Sequence, residues 1–220
     1  MNLLAIDTAL EACSVGVAID GRPPVLRSET IGRGHAERLF GMLSEAMSEA
    51  GLAFAALDRI AVTNGPGSFT GIRVGIAAAR GLALVIGCPV VAIGTLAMTA
   101  AAARDTAGPQ PVLAAHDAKR DEIHAQAFDA GGAPLCEPFA GSAGDVAARA
   151  GDGMLLAGSG AALVAAAMAE PGRIVTVPAI PDIAILLRLG RSAPPPGGPP
   201  RPLYLRPPDA KPQATGVARR

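Results

Sequence analysis

Residues 63–73 read TNGPGSFTGIR, a glycine-rich turn that leaves the apolar run at 60–62 and opens a second one at Ile72. A strand, a tight turn and a helix are implied. Gly65, Gly67 and Gly71 supply backbone freedom or close approach, Pro66 fixes one φ, and Ser68 and Thr70 bring hydroxyls able to cap the next helix; Phe69 sits between them. N–H groups at such a helix start can hold an anion. Two nucleotide fingerprints nevertheless fail here. The glycines read GxGxxxG, one residue longer than the dinucleotide motif, and no Lys follows Gly71, so there is no Walker A loop. On the glycine pattern alone, a tight turn without a ligand stands beside the anion site.

Working outward, the 220 residues are half hydrophobic, enough to bury one core or two small ones. Nineteen basic residues balance nineteen acidic ones, so no electrostatic footprint for nucleic acid or an anionic membrane is visible. Five Phe, one Tyr and no Trp argue against a base-stacking platform. Three scattered cysteines, none in CxxC, suggest neither a disulfide framework nor a zinc knuckle, which favours a reducing, cytoplasmic setting. The first apolar run stops at Asp7, too early for a signal peptide. Residues 81–103 are uncharged and long enough to span a bilayer, but Pro89 and the glycines at 81, 87 and 94 divide them into helix end, buried strand and next helix.

Residues 3–6 and 13–19 read as a β-hairpin, with a third strand at 25–31. Residues 33–51 place Ala36, Leu39, Phe40, Leu43, Met47 and Ala50 at the spacing of a helix with one buried stripe; His35 and Glu37 lie in its first turn. A strand at 57–63 feeds the glycine turn. The helix at 72–86 is apolar almost all round, interrupted by Arg73 and Arg80. Gly71, Gly75, Ala78, Ala79 and Leu82 form a ridge of mostly small side chains, and Val74 extends the apolar surface. A second apolar side on a helix outside a sheet calls for a partner helix. A strand at 89–93 and a helix at 95–104 follow.

The lobe boundary is placed at 107–110. A hairpin at 111–116 and 122–128, a strand at 154–157, the turn GSG at 158–160, a helix at 161–169, a strand at 174–177 and a helix at 181–190 complete the second lobe. His116, His124, Asp117 and Asp121 are the nearest thing to a metal cluster, but strand alternation sends neighbours to opposite faces. SAPPPGGPPRP at 192–202 forms neither helix nor sheet and reads as an extended linker. The expected division is a first lobe at 1–106, a second at 107–192, and a proline-rich tail at 193–220.

GPGSFTGIR followed by a small-residue helix resembles the signature of the TsaB (YeaZ) family, smaller and catalytically silent relatives of the TsaD enzymes that make threonylcarbamoyladenosine in tRNA. HAERLF at 35–40, HDAKRDEIHAQAF at 116–128 and the YLR at 204–206 resemble further TsaB segments. A strand ending in Asp7 with Thr8 in the turn resembles the phosphate hairpin of the actin, sugar kinase and Hsp70 (ASKHA) superfamily. Here the turn is TALEACS, without a glycine and with Glu11 adding negative charge, so Asp7 either bonds nearby backbone or retains weak nucleotide contact.

The resemblance implies an α/β, two-lobed actin/Hsp70-like fold with a reduced second lobe. It implies a non-catalytic subunit, not an enzyme, that supports threonylcarbamoyl transfer by binding a TsaD-like transferase and a TsaE-like ATPase. The expected partner interface is His35, Glu37, Leu39, Phe40, Leu43 and Met47 on the first helix with Gly71, Arg73, Val74, Gly75, Ala78 and Leu82 on the second. A homodimer would use the same helices. ATP and metal are expected on the partners, tRNA is met only indirectly, and no membrane is involved. Asp7, Thr8, Gly158 and Gly160 are the implied weak nucleotide contacts. The rival reading is an active ATP-dependent kinase or carbamoyltransferase of the same superfamily.

Overall fold

A computed structural model of the chain describes residues 1–169 and 172–206. It contains two five-stranded sheets with one shared topology. The first is ordered β3-β2-β1-β4-β5, from β1 (Leu3–Asp7), β2 (Ala12–Ala18), β3 (Val25–Thr30), β4 (Arg59–Gly65) and β5 (Val90–Gly94). The second uses β6 (Val112–Asp117), β7 (Ile123–Phe128), β8 (Phe139–Gly141), β9 (Leu155–Ala157) and β10 (Ile174–Val175), in the order β10-β9-β6-β7-β8. Read from the far edge, this is the same plan. In each sheet the first three strands pair antiparallel, and the fourth and fifth add parallel on the other side. A doubled α/β unit of this order is the two-lobed ASKHA architecture.

The helices α1 (His35–Ala50) and α2 (Phe69–Ile86) cover one face of the first sheet, where Leu39, Leu43, Ile72 and Ala79 join Leu4, Ile6 and Val62 in one core. Ser68 caps α2 by accepting from the Gly71 N–H at 3.2 Å, and Gly51 and Gly87 end α1 and α2 in the left-handed region that favours glycine. α3 (Thr95–Ala107) packs between the sheets: Met98 and Ala101 meet Leu3 and Ala61 on one side, while Leu96 and Ala100 meet Val112 and Ala114 on the other. α4 (Ala143–Ala147) and α5 (Ala161–Ala167) close the outer face of the second sheet.

The expected assignment of residues 181–190 to the second lobe is corrected. α6 (Ile183–Ser192) returns to the first sheet, where Ile183, Leu186 and Leu187 bury against Leu3, Ala5 and Ala61. The remaining apolar face of β1 and β4 needs cover, and Gly190 permits contact with Ala61 that a Cβ would block. Arg59 fixes the end of α6 by donating to the carbonyls of Gly190 at 3.0 Å and Ala193 at 2.8 Å. β8 and α4 were not anticipated from the sequence. Both are short, and α4 is held by a capping box between Ser142 and Asp145.

Candidate functional site

The glycine turn closes directly on the β1–β2 hairpin. The Ser68 N–H donates to the Ala9 carbonyl at 2.7 Å, and the Thr8 hydroxyl donates to the Gly71 carbonyl at 2.7 Å. A Cβ on Gly67 would lie under 3.0 Å from the Ala9 carbonyl oxygen, and one on Gly71 equally close to that of Thr8. Neither carbonyl can retreat without moving its strand. Thr95 ties the turn to α3 by donating to the Pro66 carbonyl at 2.6 Å. The glycines therefore serve backbone-to-backbone packing within the chain.

This arrangement corrects the implied nucleotide role of Asp7 and Thr8. Both are buried, Asp7 at 3% exposure and Thr8 at 0%. Asp7 Oδ1 accepts from the Ala9 N–H at 2.9 Å and the Thr63 hydroxyl at 2.7 Å, the backbone-bonding alternative of the sequence reading. Desolvation raises the Asp7 pKa, opposed by those two hydrogen bonds and by His35. Asp7 Oδ1 and the Thr8 hydroxyl are thus engaged beneath the turn, and both residues are buried there. His35 is buried too, its Nε2 3.1 Å from the Leu10 carbonyl oxygen.

Between the lobes lies a cleft of about 690 Å³. Leu10, Pro66 and Phe69 line it from the first lobe, and His116, Lys119, His124 and Ser159 from the second. His116 and His124 are direct partners across β6 and β7 and so share one face. His116 Nε2 and the Thr99 hydroxyl share a 2.8 Å hydrogen bond; burial, and then His124, lower the His116 pKa to about 4, leaving the imidazole neutral. The cleft's cations are already paired, Lys119 with Asp117 at 2.9 Å and Arg206 with Glu122 at 3.0 Å. Gly158 lines the cleft, whereas Gly160 is buried against the end of β6, which removes it as a nucleotide contact. Among the described residues no group of three His, Cys, Asp or Glu side chains is placed to hold a metal ion.

The expected partner interface needs the larger correction. Leu39, Leu43 and Met47 are buried on the first sheet, as are Gly71, Gly75 and Ala78, and His35 faces inward with them. The small-residue ridge lets α2 sit close to β1 and β4; a Cβ on Gly75 would collide with the Thr8 hydroxyl. Glu37, Phe40 and Arg73 are exposed, with Val74 and Leu82 half-buried. The residues missed were Leu84 and Val85, exposed at 86% and 87%, which with Phe40 at 60% give the outer side of α1 and α2 large apolar groups in water. Leu84 lies nine residues beyond Gly75, about 180° round the helix, a phase legible in the sequence. By length and a mean hydropathy of 1.6, α2 resembles a bilayer-crossing helix, yet its ridge is packed on the sheet.

The described tail also reaches the site. The Leu203 N–H donates to the Asn64 carbonyl at 2.8 Å, and Tyr204 stacks on Phe69 at 5.0 Å while its hydroxyl accepts from Arg73 Nε at 2.7 Å.

The TsaD family model, described as tRNA N6-adenosine threonylcarbamoyltransferase, matches residues 28–176. The Escherichia coli tRNA threonylcarbamoyladenosine biosynthesis protein TsaB is 40% identical over 124 residues, 56% of this chain and 53% of its own length. The chain thus spans about half the length of the curated TsaB relatives it matches. An uncharacterized Mycobacterium tuberculosis protein is 36% identical over 220 residues, covering 97% of this chain and 95% of its own. YeaZ from Pseudomonas aeruginosa superposes with a TM-score of 0.76 at 35% identity, covering 86% of this chain and 89% of the other. A second Pseudomonas aeruginosa structure, described by its similarity to the peptidase YeaZ, reaches a TM-score of 0.78 at 32% identity over 93% and 99% of the two chains. With the doubled sheet and the glycine turn at 63–73 in common with them, this chain belongs to the TsaB (YeaZ) family, among the relatives of TsaD.

Proposed function

We propose that this chain is a non-catalytic subunit in tRNA threonylcarbamoyladenosine biosynthesis. It supports threonylcarbamoyl transfer to the adenosine beside the anticodon by docking the outer side of α1 and α2 on a TsaD-like transferase, with a TsaE-like ATPase joining the pair. The observation that carries this reading is the hairpin at Asp7 and Thr8. Asp7 Oδ1 accepts from Thr63 and Ala9, the Thr8 hydroxyl donates to Gly71, and Gly67 and Gly71 pack against the carbonyls of Ala9 and Thr8. ATP and metal then belong to the partners, and tRNA is met through them in the cytoplasm. The exposed Phe40, Leu84 and Val85 supply the docking surface, and the same surface pairs two copies when no transferase is present.

The interlobe cleft favours one rival, an ATP-dependent kinase or carbamoyltransferase that works alone. Size exclusion with light scattering separates them. The chain mixed with the TsaD-like protein of its own cell is expected to elute as a mixed complex, which displaces any homodimer. No complex, together with ATP turnover by the isolated chain, would replace the subunit reading by the enzyme.

A further inference from the structure

We propose that residues 203–206 form a latch that closes the interlobe cleft and clamps the two lobes to each other. The segment crosses the cleft mouth, and all four of its residues line the cavity. Its first end is fastened to the first lobe by the Leu203–Asn64 hydrogen bond and by Tyr204, which meets both Phe69 and Arg73; the Arg73 guanidinium also covers the Phe69 ring at 3.7 Å. Its other end is fastened to the second lobe. Arg206 Nε donates to Glu122 Oε1 at 3.0 Å, and Arg206 Nη2 donates to the Lys119 carbonyl at 3.2 Å.

Three features make this a latch and not a fixed strand. Residues 203–206 belong to no helix or sheet, and Leu203 makes their single backbone–backbone hydrogen bond among the described residues. The Arg206–Glu122 pair is 28% exposed on each side, where water competes with it. The receiving turn is itself strained. Lys119, Arg120 and Asp121 hold φ of 64°, 57° and 60°, three consecutive non-glycine residues in the left-handed region. Arg206 grips the carbonyl of the first of them, so loss of that grip favours relaxation of the turn and withdrawal of the latch together. An open latch exposes a cavity whose walls are largely apolar, with Thr99, a neutral His116, Ser159 and the paired charges of Lys119 and Asp117 among its polar groups.

The chain carries its own reporter, because Tyr204 is the single tyrosine and there is no tryptophan. Acrylamide quenching of intrinsic fluorescence therefore reads the latch directly in the full-length protein. Tyr204 is 38% exposed when closed, so Arg206→Ala is expected to raise the quenching constant roughly two- to threefold, toward a fully exposed ring. Glu122→Ala removes the ion-pair half of this anchor from the other lobe, leaves the segment itself intact and is expected to raise the quenching constant in the same direction, which keeps the test decisive if Arg206→Ala fails to fold. Wild-type quenching equal to that of free tyrosine, or folded variants that quench as wild type does, would overturn the latch.

Discussion

Two glycines of α2, Gly71 and Gly81, are expected to respond oppositely to the same change. In Gly71→Ala the new methyl group would lie under 3.0 Å from the Thr8 carbonyl oxygen, which belongs to the strand-end hairpin. Overpacking of this kind costs about 1–3 kcal/mol. Displacing the hairpin also breaks the Thr8–Gly71 hydrogen bond, a loss of about 1 kcal/mol. Alanine's better helix propensity returns about 1 kcal/mol. The net effect is a destabilisation of about 1–3 kcal/mol. In Gly81→Ala nothing lies within 4 Å of the added Cβ, so only the propensity gain remains, about 0.5–1 kcal/mol. For a domain of this size the two variants should melt roughly 3–16 °C apart on opposite sides of wild type. Urea unfolding followed by far-ultraviolet circular dichroism measures the difference as a shift in midpoint at constant slope. Wild-type stability in Gly71→Ala would refute the argument that this glycine exists for backbone contact.

The other expectations are shorter. Because burial depresses the His116 pKa from 6.5 to about 4, the folded state binds its proton later than the unfolded state. The stability it contributes is complete above pH 6.5 and is lost as pH falls through about 4, by up to about 3 kcal/mol, and His116→Gln should flatten that limb of an acid titration. Leu84→Glu with Val85→Glu alters two exposed positions, so urea midpoints should move by no more than about 0.5 kcal/mol. Calorimetric affinity for the TsaD-like partner should fall at least roughly tenfold, and unchanged affinity would take α2 out of the docking surface. Ser142→Ala deletes the hydroxyl half of the α4 capping box and leaves the half in which the Ser142 N–H donates to Asp145, and a midpoint shift worth about 1 kcal/mol is expected.

Much of the fold was legible because its strands alternate and its turns carry glycine. The hairpin of β1 and β2, the glycine turn and the division of residues 81–103 into helix end, β5 and α3 all stand close to their expected positions. α2 begins earlier than its apolar pattern, at Phe69, because Ser68 sets the start through its cap. What failed was assignment of faces. A helix apolar on two sides does not say which side meets the sheet, so Gly75 and Ala78 were set outward and Leu84 overlooked. Helix α6 failed in the same way: its stripe of Ile183, Leu186 and Leu187 announces burial but not against which sheet. The cleft was illegible for another reason, since Leu10, Phe69, His116 and Tyr204 are brought together only by the docking of separate elements. For α4 a signal existed, the Ser142 and Asp145 spacing, but a helix of five residues shows no periodicity to accompany it.

The turn at 63–73 shows how a glycine pattern alone leaves its purpose open. A strand, a glycine turn and a capped helix can aim backbone N–H groups at an anion, or can let one backbone lie against another. The choice is made by what stands opposite the missing side chains. Opposite Gly67 and Gly71 stand the carbonyl oxygens of Ala9 and Thr8, and the Ser68 N–H already donates to the former. A phosphate placed there would face two acceptors and lose a donor, with Glu11 adding like charge from the same hairpin. The neighbouring cleft is a separate space: Leu10 of this hairpin lines it, whereas Asp7 and Thr8 are buried and are not among its lining residues. Backbone contact at the turn and the interlobe cleft are thus separable features of one fold, and substitutions at Gly71 and at Arg206 address them independently.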